Sequence, residues 1–366
     1  MGLMRPTLSA FLMAGCCGAG VVPARPPTVS GGSRGLLARA LSAIQRQEQA
    51  VRNVRVSASA ISTGWRPRYD LTTKRWIFPR RPNVSSRAEL SAIFDGLPWG
   101  KFRAEVPMEQ IPSPGGLSSI YVESFTVAYN GRVGTYLQTA TGTPKKLLGG
   151  DEGEISGRMP GAHLLAVGGT GWGASIYGYA AHRGHPRFSA YLSPNQPGIT
   201  LRARWISARG RRYLRVARIG SPYGKGVFLL DPSAGFSIRE CKWYWWRPVV
   251  GRGGRLVLRP NGRPRMALEK QPDNVFRVAG FFEPAPGVFY PKQVVAKDLY
   301  MGHLSVSTVT VSHVTVNDPN VGPETWVVQF PRGAVVRDLA TNKVIRIAGT
   351  PQEQLKEIER AVKQAR

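Results

Sequence analysis

The sequence predicts a mainly β protein, with a curved antiparallel sheet or half-open barrel, an N-terminal helix across its concave side and a short C-terminal helix. Three observations lead to this class. First, 42 glycines and 29 prolines are spread between short apolar runs, as expected for many turns. Second, several runs alternate apolar and polar residues with the period of two of a half-buried strand. Third, strands and helices do not alternate, so a parallel sheet is not expected.

The first element of this fold is a helix over Leu36–Asn53. Leu37, Leu41, Ile44 and Val51 recur every three or four residues or at multiples of that spacing, which places them on one stripe. A curved sheet must fill its concave face, and this apolar stripe is the natural filler.

The next two elements are predicted from different local patterns. Val54–Ser62 alternates apolar and polar residues, which predicts a strand. Residues 87–95 are expected to form a short helix, because Ser86 and Glu89 match a capping box and Gly96 would end the helix.

The remainder is predicted to consist mainly of hairpins. Asn130-Gly131 gives the strongest signal, because both residues tolerate the positive φ of a type I′ turn. The strand before this turn carries Phe125, Val127 and Tyr129 on one face. Further turns are predicted at Arg209-Gly210, Pro232–Gly235, Pro284–Gly287 and Thr341-Asn342, with a long strand over Leu304–Val316.

The start of the chain predicts export. Arg5, the mostly apolar stretch after it and Val22-Pro23-Ala24 follow the order of a signal peptide with its cleavage site. A second interpretation stays open, because Leu12–Cys16 resembles a lipobox, in which Cys16 would carry the lipid. We therefore divide the chain into a signal peptide (1–24), a linker (25–34), a single β domain (35–349) and a C-terminal surface helix (350–366).

The net charge of +28 indicates a basic surface. It favours contact with an anionic membrane surface or glycan, or it is simply solvated. The basic residues are spread along the chain instead of forming a block, and export removes most access to nucleic acid, so no nucleic-acid partner is expected.

Motifs of catalysis or cofactor binding are absent from the sequence. It contains no His-Glu-x-x-His, no P-loop and no Gly-x-Ser-x-Gly elbow. The pair His182 and His185 is too small a set for a zinc site. We therefore predict no enzyme activity, no metal and no cofactor. A hydrolase of envelope polymers stays open as an alternative, since its two carboxylates could lie anywhere among the 22 acidic residues.

The run Trp243-Tyr244-Trp245-Trp246 is the most unusual local feature. On a single strand, Trp243 and Trp245 would share one face. This face is core, the wall of an apolar cavity or a stacking surface. Trp243 and Trp245 join Phe125, Val127 and Tyr129 as candidates for an apolar groove.

Both ends of the chain resemble the periplasmic lipoprotein-carrier-like proteins of the LolA-type superfamily, especially their long bacterial members. The resemblance covers about a third of the chain: the helix running into strand Val54–Ser62, Tyr290-Pro291-Lys292, the long strand to Val316-Asn317, and Phe330-Pro331-Arg332-Gly333 with the hairpin after it. It implies a half-open antiparallel barrel with helices across an apolar cavity for acyl chains. No carrier-specific binding residue is matched here.

Together these observations predict an exported, non-enzymatic protein of the periplasm or cell envelope with an apolar groove for lipid, acyl chain or lipoprotein. The alternatives that stay open are an envelope interaction protein with a filled core and the hydrolase above. A hollow interior would favour binding, and a solid one would favour interaction.

Overall fold

The computed structural model describes residues 28–29, 31–65, 68–70, 72, 75–77, 82, 84–95, 101–111, 121–129, 134–141, 152–156, 187–208, 210–220, 224–251, 255–300, 303–332, 334–338, 344–346, 353 and 356. The helices of this part are α1 (Gly31–Ala50) and α2 (Phe188–Tyr191), with 3-10 turns η1 (Pro232–Ala234) and η2 (Pro323–Trp326). The strands are β1 (Thr28–Val29), β2 (Asn53–Trp65), β3 (Arg68–Asp70), β4 (Arg75–Ile77), β5 (Val84–Asp95), β6 (Lys101–Ile111), β7 (Tyr121–Tyr129), β8 (Gly134–Thr141), β9 (Glu152–Ser156), β10 (Thr200–Ala208), β11 (Arg211–Gly220), β12 (Gly224–Asp231), β13 (Ser237–Tyr244), β14 (Trp246–Pro248), β15 (Met266–Leu268), β16 (Asn274–Ala285), β17 (Val288–Tyr300), β18 (His303–Val316), β19 (Val335–Asp338) and β20 (Val344–Arg346).

Sixteen strands form one sheet in the order β1-β10-β11-β12-β13-β16-β17-β18-β2-β5-β6-β7-β8-β9-β19-β20. Neighbours are antiparallel except for β1 with β10 and β9 with β19, which are parallel. The two end strands of this order, β1 and β20, do not pair with each other in the described part of the chain, so the sheet is open. The predicted class, mainly antiparallel β with few helices, is confirmed.

The centre of the sheet is the pair β2 and β18, which are far apart in sequence. Their register runs from Leu304 opposite Trp65 to Val316 opposite Val54. Buried and more exposed residues alternate along the first part of β2, as the period of two requires. Both predicted strands, Val54–Ser62 and Leu304–Val316, are confirmed, and the structure extends them slightly.

The helix predicted at 87–95 is wrong, because these residues belong to strand β5. Ala88, Leu90 and Ala92 are buried, whereas the intervening Glu89 is exposed, and this is the alternation of a strand. β5 pairs with β2 over twelve residues. The apparent capping box is therefore a coincidence of spacing, overridden by the hydrogen bonds that β2 and β6 offer on either side.

The predicted hairpins are confirmed as pairs of neighbouring strands. Gly210 has φ 73° and Gly235 has φ 59°, in the left-handed region that favours glycine, at the turns after β10 and before β13. Across the Asn130-Gly131 turn, Tyr129 pairs with Gly134, and the four turn residues lie outside the described part. The turn at Thr341-Asn342 also lies outside it, although β19 and β20 pair as predicted.

The N-terminal helix is longer at its start than predicted. It begins at Gly31 and ends at Ala50, and Thr28–Val29 pairs with β10, so part of the predicted linker 25–34 is regular structure. Residues 1–27, with Cys16, lie outside the described residues. Of the predicted C-terminal helix, Glu353 and Lys356 are described, and both are helical. None of the described helices has the length and apolar character needed to cross a bilayer.

The segment around η2 lies on the sheet face opposite to α1. Its residues Val327, Val328 and Phe330 are buried with Ala128 of β7 and Leu137 of β8. The amide of Val328 donates to the Thr135 hydroxyl at 3.0 Å, which fixes the segment on β8. The Phe-Pro-x-Gly region noted in the sequence is therefore a packing element that carries the chain from β18 to β19.

Candidate functional site

One face of the sheet carries two apolar clusters side by side. Directly opposed residues share a face of an antiparallel sheet. A row of such residues runs from the first cluster towards the second: Phe228, Cys241, Phe276, Ala296, Ser307, Ser62. Ser62 lies two residues from Ala60 of the second cluster, so Ala60 faces the same way.

The first cluster, on β10–β13, is filled with large side chains. The indole of Trp243 meets the ring of Phe228 at 5.5 Å and that of Tyr191 at 5.7 Å, both edge to face. Leu37, Ala40 and Ile44 of α1 are buried against this cluster. We call this half of the face the filled half.

Helix α1 is held over the filled half by specific hydrogen bonds. The Gln47 amide donates to the Gly235 carbonyl at 2.6 Å, and the Phe289 backbone N–H donates to Gln47 Oε1 at 3.1 Å. The buried Glu48 carboxylate accepts from the backbone N–H of Ser189 at 3.0 Å and also from its hydroxyl. The helix therefore has a fixed position over one half of the face.

The second cluster lies on β2, β5 and β6, and small residues make up much of it. In the register, Ala60 is opposite Ala88 and Ala92 is opposite Ala104. We call these residues the alanine trough: Ala58, Ala60, Ala88, Ala92 and Ala104. Larger residues of the same cluster flank it, with Tyr136 on β8 and Tyr290 on β17. Helix α1 contributes no residue to this cluster; it packs on β10, β17 and α2.

Three of the sequence-predicted groove residues lie on β7, at one flank of the trough. Val127 is fully buried in the cluster and is opposite both Ala104 and Tyr136. Tyr129 is partly buried and packs against the same cluster. Phe125 is on β7 as well, but its side chain lies outside the described part of the structure.

The other two predicted groove residues are in different surroundings. Trp243 is 2% exposed and belongs to the core of the filled half. Trp245 lies between β13 and β14, so the run from Trp243 to Trp246 is not one continuous strand. Its backbone N–H donates to Asp273 Oδ2 at 3.0 Å, and its indole N–H donates to Asn274 Oδ1 at 3.2 Å.

The carboxylates of Asp273 and Asp298 lie near Trp245, with the Asn274 amide bonded to Asp298. We call Asp273, Asn274 and Asp298 the aspartate joint. Asp273 is buried and accepts from Trp245 and Arg247, and Asn274 Nδ2 donates to Asp298 Oδ1 at 2.6 Å. Burial raises the pKa of Asp298 to about 6; the Asn274 hydrogen bond partly offsets this, and the nearby charge of Asp273 adds to it. These bonds tie the ends of β13, β16 and β17 together, which gives the joint a structural role.

Two further kinds of chemical group in the described residues are the Cys241 thiol and the side chains that could bind a metal ion. Cys241 is a packed core residue, fully buried in the filled half, and this burial raises the pKa of its thiol. Among the described residues no three His, Cys, Asp or Glu side chains are grouped as metal ligands. His182 and His185 lie outside them.

The alanine trough was missed at the level of sequence. The alternation in Val54–Ser62 places Ala58 and Ala60 on the inner face of a strand, whereas the capping-box spacing predicts a helix for Ala88 and Ala92. The available signal was the alternation of Ala88, Leu90 and Ala92 with polar residues, which is the same period of two as in β2.

No protein-family model and no curated protein matches the chain. Solved structures do. A domain of the outer membrane lipoprotein-sorting kind from Vibrio parahaemolyticus matches 79% of this chain and 97% of its own, with 8% identity and a TM-score of 0.36. A LolA superfamily protein from Nitrosomonas europaea matches 79% of this chain and 98% of its own, with 11% identity and a TM-score of 0.37.

Both likenesses are at 11% identity or less and at TM-scores below 0.4. The geometry of the two halves of the sheet face comes from this chain's own residues.

Proposed function

We propose that this is an exported, non-enzymatic binding protein of the bacterial envelope whose alanine trough takes an acyl chain of a lipid or lipoprotein. The observation that carries the proposal is the contrast between the two halves of one sheet face. α1 and aromatic side chains fill one half, whereas alanines form the floor of the other and α1 does not pack there.

Small side chains favour an elongated apolar ligand. Alanines on three adjacent strands, with Leu90 and Val56 among them, form an apolar patch between the flanking tyrosines, and each of the five alanines is at most 7% exposed. An acyl chain gains about 0.8 kcal/mol for each CH₂ that leaves water, so a few buried methylenes give useful affinity. Val127 and Tyr129 form one flank in this proposal, and Phe125, on the same strand, is proposed to join them. Trp243 packs in the filled half and Trp245 bonds to Asp273 and Asn274, so both lie outside the cluster that holds the trough.

The proposed location follows from the N-terminal sequence. A signal peptide at 1–24 would deliver the protein to the periplasm or envelope, and lipidation at Cys16 would keep it at a membrane. The net charge of +28 supports attraction to anionic membrane surfaces.

The test compares the same substitution in the two halves of the face. Ala60→Phe places a large ring in the trough, and Ala203→Phe places it in the filled half. Both alanines are buried, at 5% and 7% exposed, so the two sites differ in what packs around them and not in exposure. Delipidated protein is titrated with a fluorescent fatty acid, and unfolding is followed in urea. We expect saturable binding by the native chain, loss of binding without large destabilisation in Ala60→Phe, and destabilisation by about 1–3 kcal/mol in Ala203→Phe. The reason is that α1 and aromatic side chains fill the half that holds Ala203, whereas α1 contributes no residue to the cluster that holds Ala60.

The alternative function predicts another pattern. If Ala60→Phe destabilises the protein as much as Ala203→Phe does and the probe binds without saturation, the trough is solid. The protein would then be an envelope interaction protein with a filled core. Native mass spectrometry of protein from its own host gives an independent readout, since a carrier of acyl chains should retain a lipid.

A further inference from the structure

A pocket of about 500 Å³ opens on the sheet face opposite to α1. Tyr213 and Phe281 line it, and each directly precedes a residue of the apolar clusters, Leu214 and Phe282. Because neighbouring residues of a strand point to opposite faces, Tyr213 and Phe281 point away from the clusters. The pocket is therefore separate from the alanine trough.

Irregularities in two strands shape this pocket. In β13, Arg239 is the extra residue of a bulge, since Leu229 is opposite Glu240 and Leu230 is opposite Ile238. In β16 the register also shifts on both sides of Gly280. β-Bulges redirect side chains and locally bend a sheet, and Arg239 and Gly280 both line the pocket.

Two arginines present their charge to this pocket. Neither Arg211 nor Arg239 forms an ion pair with a carboxylate of the described residues. The Arg239 guanidinium lies 5.8 Å from the centre of the Phe281 ring, which orients it beside an aromatic surface. Two guanidiniums on one pocket are suited to a carboxylate or phosphate group.

Two carboxylates, Asp231 and Glu283, also line the pocket, and Glu283 accepts from the backbone N–H of Gly287 at 2.9 Å. Asp231 is 4% exposed and lines the pocket. Its Oδ1 accepts from the backbone N–H of Ser233 at 3.0 Å and from the Ser233 hydroxyl at 2.6 Å. Its Oδ2 has no hydrogen-bond donor among the described residues. A ligand that donates a hydroxyl hydrogen would satisfy this oxygen.

We propose that this pocket binds an acidic sugar unit of an anionic glycan. The acidic group of the sugar lies on Arg211 and Arg239, a sugar hydroxyl donates to Asp231, and an apolar face of the sugar ring contacts Phe281. An anionic group, several hydroxyls and an apolar ring face occur together in a hexuronate or a sugar phosphate. The volume of about 500 Å³ admits a ligand of this size.

The experiment measures binding of glucuronate, glucose 6-phosphate and neutral glucose to the full chain by calorimetry and ligand-observed NMR. We expect both acidic sugars to bind and glucose to bind at least about tenfold more weakly, because charge-assisted bonds to the guanidiniums are lost. Arg239→Gln and Arg211→Gln should each weaken binding by about tenfold. Arg204→Gln is the matched control, because Arg204 is an exposed arginine outside the pocket; it should change affinity less than about twofold.

Several outcomes would overturn the proposal. Equal binding of glucose and glucuronate removes the role of the arginines, and a larger effect of Arg204→Gln places binding elsewhere on the basic surface. Binding of glycerophosphoethanolamine in preference to both acidic sugars assigns the pocket to a lipid head group. Circular dichroism of each variant separates loss of binding from loss of fold. Because Ala60→Phe leaves this face untouched, failure of the trough proposal and failure of the pocket proposal are distinguishable.

Discussion

Asp298 in the aspartate joint offers a prediction whose size follows from the structure. Burial and the neighbouring Asp273 raise its pKa to about 6, from an ordinary value of 3.8. The Asn274 amide donates to Asp298 Oδ1, and an asparagine at this position would keep an oxygen there to accept that bond. Asp298→Asn therefore removes the charge and preserves the local geometry.

The free energy of unfolding depends on pH because Asp298 binds its proton more tightly in the folded state than in the unfolded state. A raised pKa means that the folded state favours the neutral carboxyl, so this stabilisation is complete below about pH 4 and is lost as the pH rises through about 6. The gap between 3.8 and about 6 corresponds to about 3 kcal/mol at most. Since Asp298 is half-buried and partly screened by water, we expect Asp298→Asn to stabilise the protein by about 1–2 kcal/mol at pH 7.

The assay is urea unfolding of both proteins at several pH values between 4 and 8. The difference in free energy of unfolding should be largest at pH 7 to 8 and should shrink towards pH 4, where Asp298 is protonated in the folded state and its burial no longer costs a charge. Asp318→Asn is the control of opposite sign, because the Asn320 backbone N–H and the Arg55 side chain lower the pKa of Asp318. That variant should be less stable than the native chain at pH 7. If Asp298→Asn gives no gain at pH 7, or a gain independent of pH, the ionised Asp298 carries no burial cost and the reasoning is wrong.

Two further predictions concern the helix and the N-terminus. Gln47→Ala should lower the free energy of unfolding by about 2 kcal/mol, because it leaves the Gly235 carbonyl and the Phe289 N–H without their partner. Gln45→Ala is the control, since Gln45 is on the exposed side of α1, and it should have little effect. Equal effects of the two substitutions would show that Gln47 does not anchor the helix. N-terminal sequencing of mature protein from its own host should find a start at Cys16 or near residue 25. Cys16→Ala should abolish palmitate incorporation only if the lipobox is used. An intact Met1 would refute export.

Prediction from sequence succeeded where the information is local. Alternation in β2 and β18 identified their inner faces, because the period of two depends on neighbouring residues alone. Gly210 and Gly235 marked turns, because their positive φ is a property of a single residue. For β5 two local signals conflict: the capping-box spacing predicts a helix, whereas the alternation of apolar and polar residues predicts the strand that the structure shows. A short segment adopts the structure that its partners allow, and those partners, β2 and β6, are specified elsewhere in the chain.

The sequence by itself determined the class of the fold, the positions of most strands and the apolar stripe of the N-terminal helix. The tertiary structure decided what each apolar face meets. Trp243 and Val127 are similar as sequence features, yet one packs in the filled half and the other lies beside the alanine trough. Likewise, Arg211, Asp231 and Arg239 reach one pocket through strand register and a bulge. The physical reason is that packing and pocket formation depend on residues far apart in the chain, and no local pattern encodes which strand lies opposite which.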